Sequence, residues 1–348
     1  MLMLAGLLGV ILMGAALIGD FSDDDDEAEV STSSEQKSEA DLLEELAVGP
    51  GPELGDEEPY PGSEVDDDAE IPTYDSAGSE DDDRIIGTSE GEAIWAGAGN
   101  DDIGAYAGDD LIEAGDGDDT ARGGEGSDTL AGDAGEDVLY GDAGSDVLQG
   151  GDGQDSLFGN NGHDDIHGES GDDSLIGGEG NDGLWGGTGD DALKGMSGAD
   201  TLVGGDGIDT LFGGGGDDVV IGTQLDDSGI DNDTSDFLNG GDGNDSLYAG
   251  SGDTAHLGDG DDKLFVGDWI GEEAAVVKDF EVGEDKLVVI YDDSDGQEPM
   301  LQLVDDADFP DVTYLVVDGQ SLLAVEDPGD LSLADVELVG KSTVPQSL

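Results

Sequence analysis

Two features of this 348-residue chain could carry chemistry: a close pair among its three histidines, and 91 Asp and Glu residues. His163 and His167 stand four apart in the stretch NNGHDDIHGES, with acidic residues between them. That spacing is close to H-E-x-x-H, which binds zinc when a helix brings positions i and i+4 to one face. No cysteine is present, so thiolate metal sites, disulfides and Cys nucleophiles are excluded. The carboxylates outnumber the 8 Lys and Arg so heavily that the formal charge is −83. Such a surface lacks the basic footprint that nucleic acid requires and is repelled by anionic membranes. Its natural partners are cations.

The acids are placed with a period. Every ninth residue from Asp101 to Asp245 is Asp: Asp101, Asp110, Asp119, Asp128, Asp137, Asp146, Asp155, Asp164, Asp173, Asp182, Asp191, Asp200, Asp209, Asp218, Asp227, Asp236 and Asp245. Glu92 occupies the same phase one unit earlier, and after one residue is lost the pattern resumes at Asp262. Gly stands two residues before each Asp from Gly99 to Gly216, and another stands five before from Gly123 to Gly213. An aliphatic residue usually follows two after, as in GGEGSDTLA at Gly123 and GGDGQDSLF at Gly150. At 222–236 the pattern frays, with Leu225 at a glycine position and Gly229 at an aliphatic one. A bulged coil with a weak or missing site is expected there.

The phase also decides how to read the histidines. His163 falls on the variable turn position before Asp164, and His167 on the outward position after Ile166. Gly162 and Gly168 bracket them as turn, strand, turn. A helical zinc box is therefore not expected.

Each unit implies the element that must position its Asp. A strand of three residues cannot pack alone, so copies must stack. The glycine-rich segment before it must reverse the chain, using conformations that favour Gly, Asn and Asp. Two units make one coil of 18 residues, with the aliphatic side chains pointing inward between two thin sheets. Same-edge neighbours are then 18 apart, so Asp101, Asp119 and Asp137 begin one column and Asp110, Asp128 and Asp146 the other. With strands ~4.8 Å apart, two such carboxylates repel by about 3 kcal/mol at an effective dielectric near 20. A hard divalent cation between turns removes that repulsion. Calcium suits an all-oxygen shell of carboxylates and carbonyls in flexible geometry, whereas zinc and copper prefer His or Cys.

The unit G-[GDNE]-x-G-x-D-x-[LIV]-x resembles the calcium-binding nonapeptide of the repeats-in-toxin (RTX) family. The resemblance covers about 165 residues, and a tandem of this length is far more specific than one copy. It implies an all-β fold: a calcium-stacked parallel β-roll with a small β-rich C-terminal cap. By resemblance, several calcium ions sit between same-edge turns, held by the in-phase Asp side chains and by turn carbonyls. The metal residues so implied are the phase positions Asp101 through Asp218, together with Asp236, Asp245 and Asp262. The resemblance also implies export by type I secretion machinery, with a secretion signal near the C terminus, and a place outside the cell or on its surface.

Four regions are expected. Residues 1–19 form an uncharged apolar segment that would span about 28 Å as a helix, the length of a membrane anchor or leader. Residues 20–84 read as a disordered acidic linker, with one short helix at 38–47. Residues 85–266 are the β-roll, and 267–348 the cap, where 274–289 and 313–327 read as hairpins. The second hairpin turns at Asp318-Gly319.

No nucleophile elbow or convergent acid, base and nucleophile set is present, so the expected protein is a non-enzymatic calcium-binding roll that folds outside the cell. Two alternatives stay open. One is a surface-tethered adhesin or matrix spacer, although nine coils at ~4.8 Å reach only about 40 Å. The other is an accessory module of a secreted hydrolase or epimerase.

Overall fold

The computed structural model describes residues 75–225, 231, 235–271, 273–294 and 296–343. Successive short strands alternate between two sheets, one of 13 strands and one of 14. The first sheet starts with Asp75–Ala77, Ala93–Ala98 and Leu111–Asp116; the second starts with Arg84–Ile86, Asp102–Ala107 and Thr120–Glu125. Within each sheet neighbours pair in parallel at a spacing of 18, as in Leu157 with Leu175 and Ile166 with Leu184. This is the stacked β-roll that the nonapeptide implies.

The inward residue of each unit makes the core. Ile94, Ile112, Leu130, Leu148, Leu157, Leu175, Leu193 and Leu211 are all fully buried. Each such side chain contributes roughly 1.5–3 kcal/mol relative to exposure. No single coil closes this core, so each depends on its neighbours. Outward residues stack along the ladder as well: Tyr140 on Phe158 at 4.9 Å, His167 on Trp185 at 4.6 Å, and Tyr248 on Phe265 at 4.4 Å between ring centroids.

The register departs from 18 at the frayed unit. Thr210 pairs with Phe237 and Val219 with Ser246, a spacing of 27 in both sheets. The excess is one whole nonapeptide, so the ladders pass over a unit and this coil carries nine extra residues, the departure expected at the fray. The physical reason is in the skipped sequence. Leu225 cannot replace a turn glycine cheaply, and Gly229 would bring no side chain to the core. The next spacing is 17, from Phe237 to Thr254 and from Ser246 to Lys263.

Three sequence expectations change. Strands Asp75–Ala77 and Arg84–Ile86 belong to the sheets, so the roll begins inside the stretch read as linker. The parallel coils also run past 266, because Lys286–Tyr291 pairs with Lys263–Gly267 and then with Val336–Gly340. The segment 274–289 is not a hairpin: Ala275–Val277 lies in one sheet and Lys286–Tyr291 in the other. The second hairpin is as expected. Val312–Val317 and Gln320–Glu326 are antiparallel, and Asp318 and Gly319 both have positive φ, 50° and 92°. No helix among the described residues is long and apolar enough to cross a membrane. The apolar segment 1–19 and the short helix at 38–47 lie outside the described residues.

Candidate metal centre

Each in-phase Asp ends a turn at the sheet edge, just before its strand. Asp101, Asp110, Asp119, Asp128, Asp137, Asp146, Asp155, Asp164, Asp173, Asp182, Asp191, Asp200, Asp209, Asp218, Asp236, Asp245 and Asp262 are all buried. They join in two columns. Oδ1 of each Asp accepts the backbone N–H of the Asp one coil earlier, as Asp137 does from Asp119 and Asp164 from Asp146. Across the skipped unit the columns stay intact, with Asp209 donating to Asp236 and Asp218 to Asp245.

The second oxygen is the notable one. Oδ2 of Asp101, Asp128, Asp137, Asp155, Asp173, Asp191, Asp218, Asp245 and their equivalents is buried and accepts no hydrogen bond. Leaving one such oxygen without a partner costs roughly 1–3 kcal/mol, more for a charged group. The glycine five residues earlier supplies the space around it. A Cβ on Gly132 would collide with Asp137 Oδ2 and lie 2.6 Å from the carbonyl oxygen of Gly150, on the next coil. The same arrangement recurs at Gly159 with Asp164 and Gly177, and at Gly186 with Asp191 and Gly204. A carboxylate oxygen and a carbonyl oxygen thus border one small space that glycine keeps open. Two oxygens bordering one space, the carboxylate one accepting no hydrogen bond, fit a cation.

No three His, Asp or Glu side chains converge on one point among the described residues. Backbone carbonyls must therefore supply much of any shell, which suits calcium and disfavours zinc. From Asp110 through Asp200, and at Asp218, Asp245 and Asp262, burial pushes the column carboxyls up, only partly offset by the N–H each accepts. Asp128, Asp146, Asp164, Asp173, Asp200 and Asp245 rise to about 6. Asp137, Asp218 and Asp262 rise to about 7, and Asp191 to about 8, with same-edge carboxylates adding to the burial effect. These groups resist carrying a bare charge where they sit.

The histidines part company. His163 Nδ1 accepts the N–H of Asn181 at 2.8 Å, joining an outer ladder in which Asn181 Oδ1 in turn accepts from Ala199. His167 lies on the outer sheet face, stacked on Trp185, with Nε2 3.3 Å from Asp165 Oδ1. They serve two different ladders.

The columns have four further members, of which the phase marks only Glu92. Asp83 and Glu92 donate their N–H groups to Asp101 and Asp110, while Asp253 and Asp285 accept from Asp236 and Asp262. Asp285 could have been found, because Gly283-Glu284-Asp285-Lys286-Leu287 repeats the second half of the unit. Asp253 follows Asp236 by 17, as Asp262 follows Asp245, but its glycine is one residue too close.

A family model described as the RTX calcium-binding nonapeptide repeat matches residues 77–112, 86–121, 95–130, 105–139, 122–157, 158–193, 194–229, 221–254 and 230–264. A search of the curated proteins finds no match. The matched repeats run without a gap from 77 to 264, more than half of the chain, and coincide with the coils just described. The chain belongs to the RTX family of calcium-binding repeat proteins.

Proposed function

We propose that this protein is a non-enzymatic β-roll that folds when it meets extracellular calcium, after export to the medium or the cell surface. The observation that carries this reading is the buried Oδ2 of interior aspartates such as Asp137, Asp164 and Asp191, which accepts no hydrogen bond and borders a carbonyl oxygen in a space kept by glycine. The ligands are Asp101 and its successors at intervals of nine through Asp218, then Asp236, Asp245 and Asp262, with turn carbonyls completing each shell. Binding energy is then folding energy, as in other metallo-domains whose site does not exist in the unfolded chain. Affinity in the range of extracellular modules, Kd about 10⁻⁴–10⁻³ M, keeps the chain open inside a cell and closes it outside.

The regional plan supports the reading. An apolar segment at 1–19 and an acidic linker precede the roll, and a β-rich end at 267–348 follows it. Rolls of RTX repeats are typically non-catalytic, and family membership supports export through type I secretion machinery. Retention of the intact chain in the membrane fraction would favour a tethered spacer through residues 1–19, whereas its release into the medium would favour a free protein.

The test is a calcium titration followed by circular dichroism, with magnesium as control and bound ions counted by equilibrium dialysis. Cooperative gain of β structure with calcium alone is expected. A fully folded spectrum in excess chelator would overturn the reading.

A further inference from the structure

The two carboxylate columns do not end as they run. Within them, wherever it is described, the residue four before the Asp has positive φ: Gly97 before Asp101, Asp133 before Asp137, Asn160 before Asp164, Met196 before Asp200, and Gly258 before Asp262. Oδ2 of those five aspartates accepts nothing. At the four described ends of the columns both features reverse. Asp83 Oδ2 accepts the N–H of Ser79 at 2.7 Å, and Glu92 Oε2 accepts that of Thr88 at 2.9 Å. Asp253 Oδ2 accepts from Gly250 and Asp285 Oδ2 from Glu281, both at 2.6 Å. None of Ser79, Thr88, Ala249 and Glu281, each four before its acid, has positive φ, and neither has Gly250, the donor three before Asp253.

The link between the two features is geometric. With ordinary φ, the turn presents one of its own N–H groups to its own carboxylate, as in other side-chain-capped turns. With positive φ, that donor is lost and the oxygen is left for something outside the chain. Glu92 adds a chemical argument. Its longer side chain is accommodated because Thr88 supplies both the N–H and a hydroxyl donor, the latter 2.7 Å from Oε1. A fixed ion between two turns would not tolerate the extra methylene so readily.

We propose that Asp83, Glu92, Asp253 and Asp285 are terminators: turns that satisfy their carboxylates internally, take no cation, and hold the ends of the calcium ladder in register. This rests on the reading of the interior aspartates as calcium ligands. It separates the family's repeat phase, which includes Asp83 and Glu92 within the matched residues, from the positions that bind metal.

The test uses the full chain in saturating calcium and compares Asp253→Glu and Asp285→Glu with the interior variant Asp173→Glu. Equilibrium dialysis counts ions per chain, and amide exchange follows Gly250 and Glu281. The terminator variants are expected to fold and bind the full complement of calcium, while Asp173→Glu binds fewer ions. In addition, Asp285→Asn should speed exchange at the Glu281 amide by about tenfold, the loss expected for one hydrogen bond to a charged acceptor, without releasing calcium. Loss of as many ions from Asp285→Glu as from Asp173→Glu would overturn the proposal, as would failure of either terminator variant to fold. If Asp173→Glu alone keeps every ion, the fault lies in the calcium reading of the interior, and the amide exchange at Glu281 still decides the terminators.

Discussion

The backbone N–H of Asp119 donates to Oδ1 of Asp137 at 2.8 Å, one coil further along the same edge. One oxygen of each interior column Asp is thereby committed to the fold, and the other is left bordering a carbonyl oxygen, as Asp137 Oδ2 does that of Gly150. The Asp of this repeat is thus structural through Oδ1, and its Oδ2 is the oxygen left for the proposed ligating role. Removing it should damage both roles, whereas Asn keeps the acceptor and loses the charge.

Acid should partly replace the metal. Ten of the column carboxyls, Asp128, Asp137 and Asp191 among them, stand at about 6 to 8 in the folded chain, against about 3.9 for Asp in an open one. Between those limits the folded state holds more protons, so its stability rises as pH falls. The contribution is complete below about 4 and lost as pH rises through 6 to 8. In chelator, β structure should therefore increase from pH 8 to pH 5 by circular dichroism, and the calcium midpoint should rise over the same interval as protons compete. Further unfolding on acidification would contradict the burial of these groups.

Met196 and Tyr106 are exposed residues held at φ 82° and 77°, in a position where most units have glycine. A side chain in that conformation costs roughly 1–2 kcal/mol. Met196→Gly and Tyr106→Gly should each raise stability in saturating calcium by about 1 kcal/mol, less the unfolded-chain entropy that glycine adds. Urea unfolding reads this directly. Gly126→Ala should do the reverse, because its Cβ would collide with the carbonyl oxygen of Gly108.

Parity gives a test of the register. Deleting residues 222–230 turns the spacing of 27 into 18 and leaves every later strand in its own sheet. That variant should fold with calcium and keep its midpoint within about twofold, since the closure entropy of a connection changes only slowly with its length. Deleting 177–185, also nine residues, moves every following strand to the opposite sheet and puts the C-terminal hairpin on the wrong side. It should lose the cooperative transition.

The histidines should prove dispensable for metal. His163→Asn retains an acceptor for the Asn181 N–H, as Asn181 itself does for Ala199. Its calcium midpoint should stay within about twofold, because an exposed hydrogen bond contributes only ~1 kcal/mol. Zinc dialysis of the wild-type chain should find no tight site. His167→Ala should cost about 0.5–1.5 kcal/mol through loss of its stack on Trp185.

Much of this molecule was legible in its sequence because the repeat couples three constraints at one spacing. An inward aliphatic residue, a turn glycine and an acid recurring every nine residues admit one solution, a two-sheet coil with two acidic edges. The aspartates at 101 through 218, and those at 236, 245 and 262, followed from phase alone. Local pattern could not reveal which turns give their carboxylate an internal N–H, since that depends on the φ of a residue four positions away. Nor could it show that Asp236 stacks on Asp209 while the unit at 227 is passed over. A strand accepts whichever neighbour buries its core residue and matches its ladder, and that choice is made only when the coils meet. The sequence by itself determined the period, the charge and an oxygen-rich donor set that suits calcium; the tertiary structure decided the register and where each column ends, because both are settled by contacts between coils and not within them.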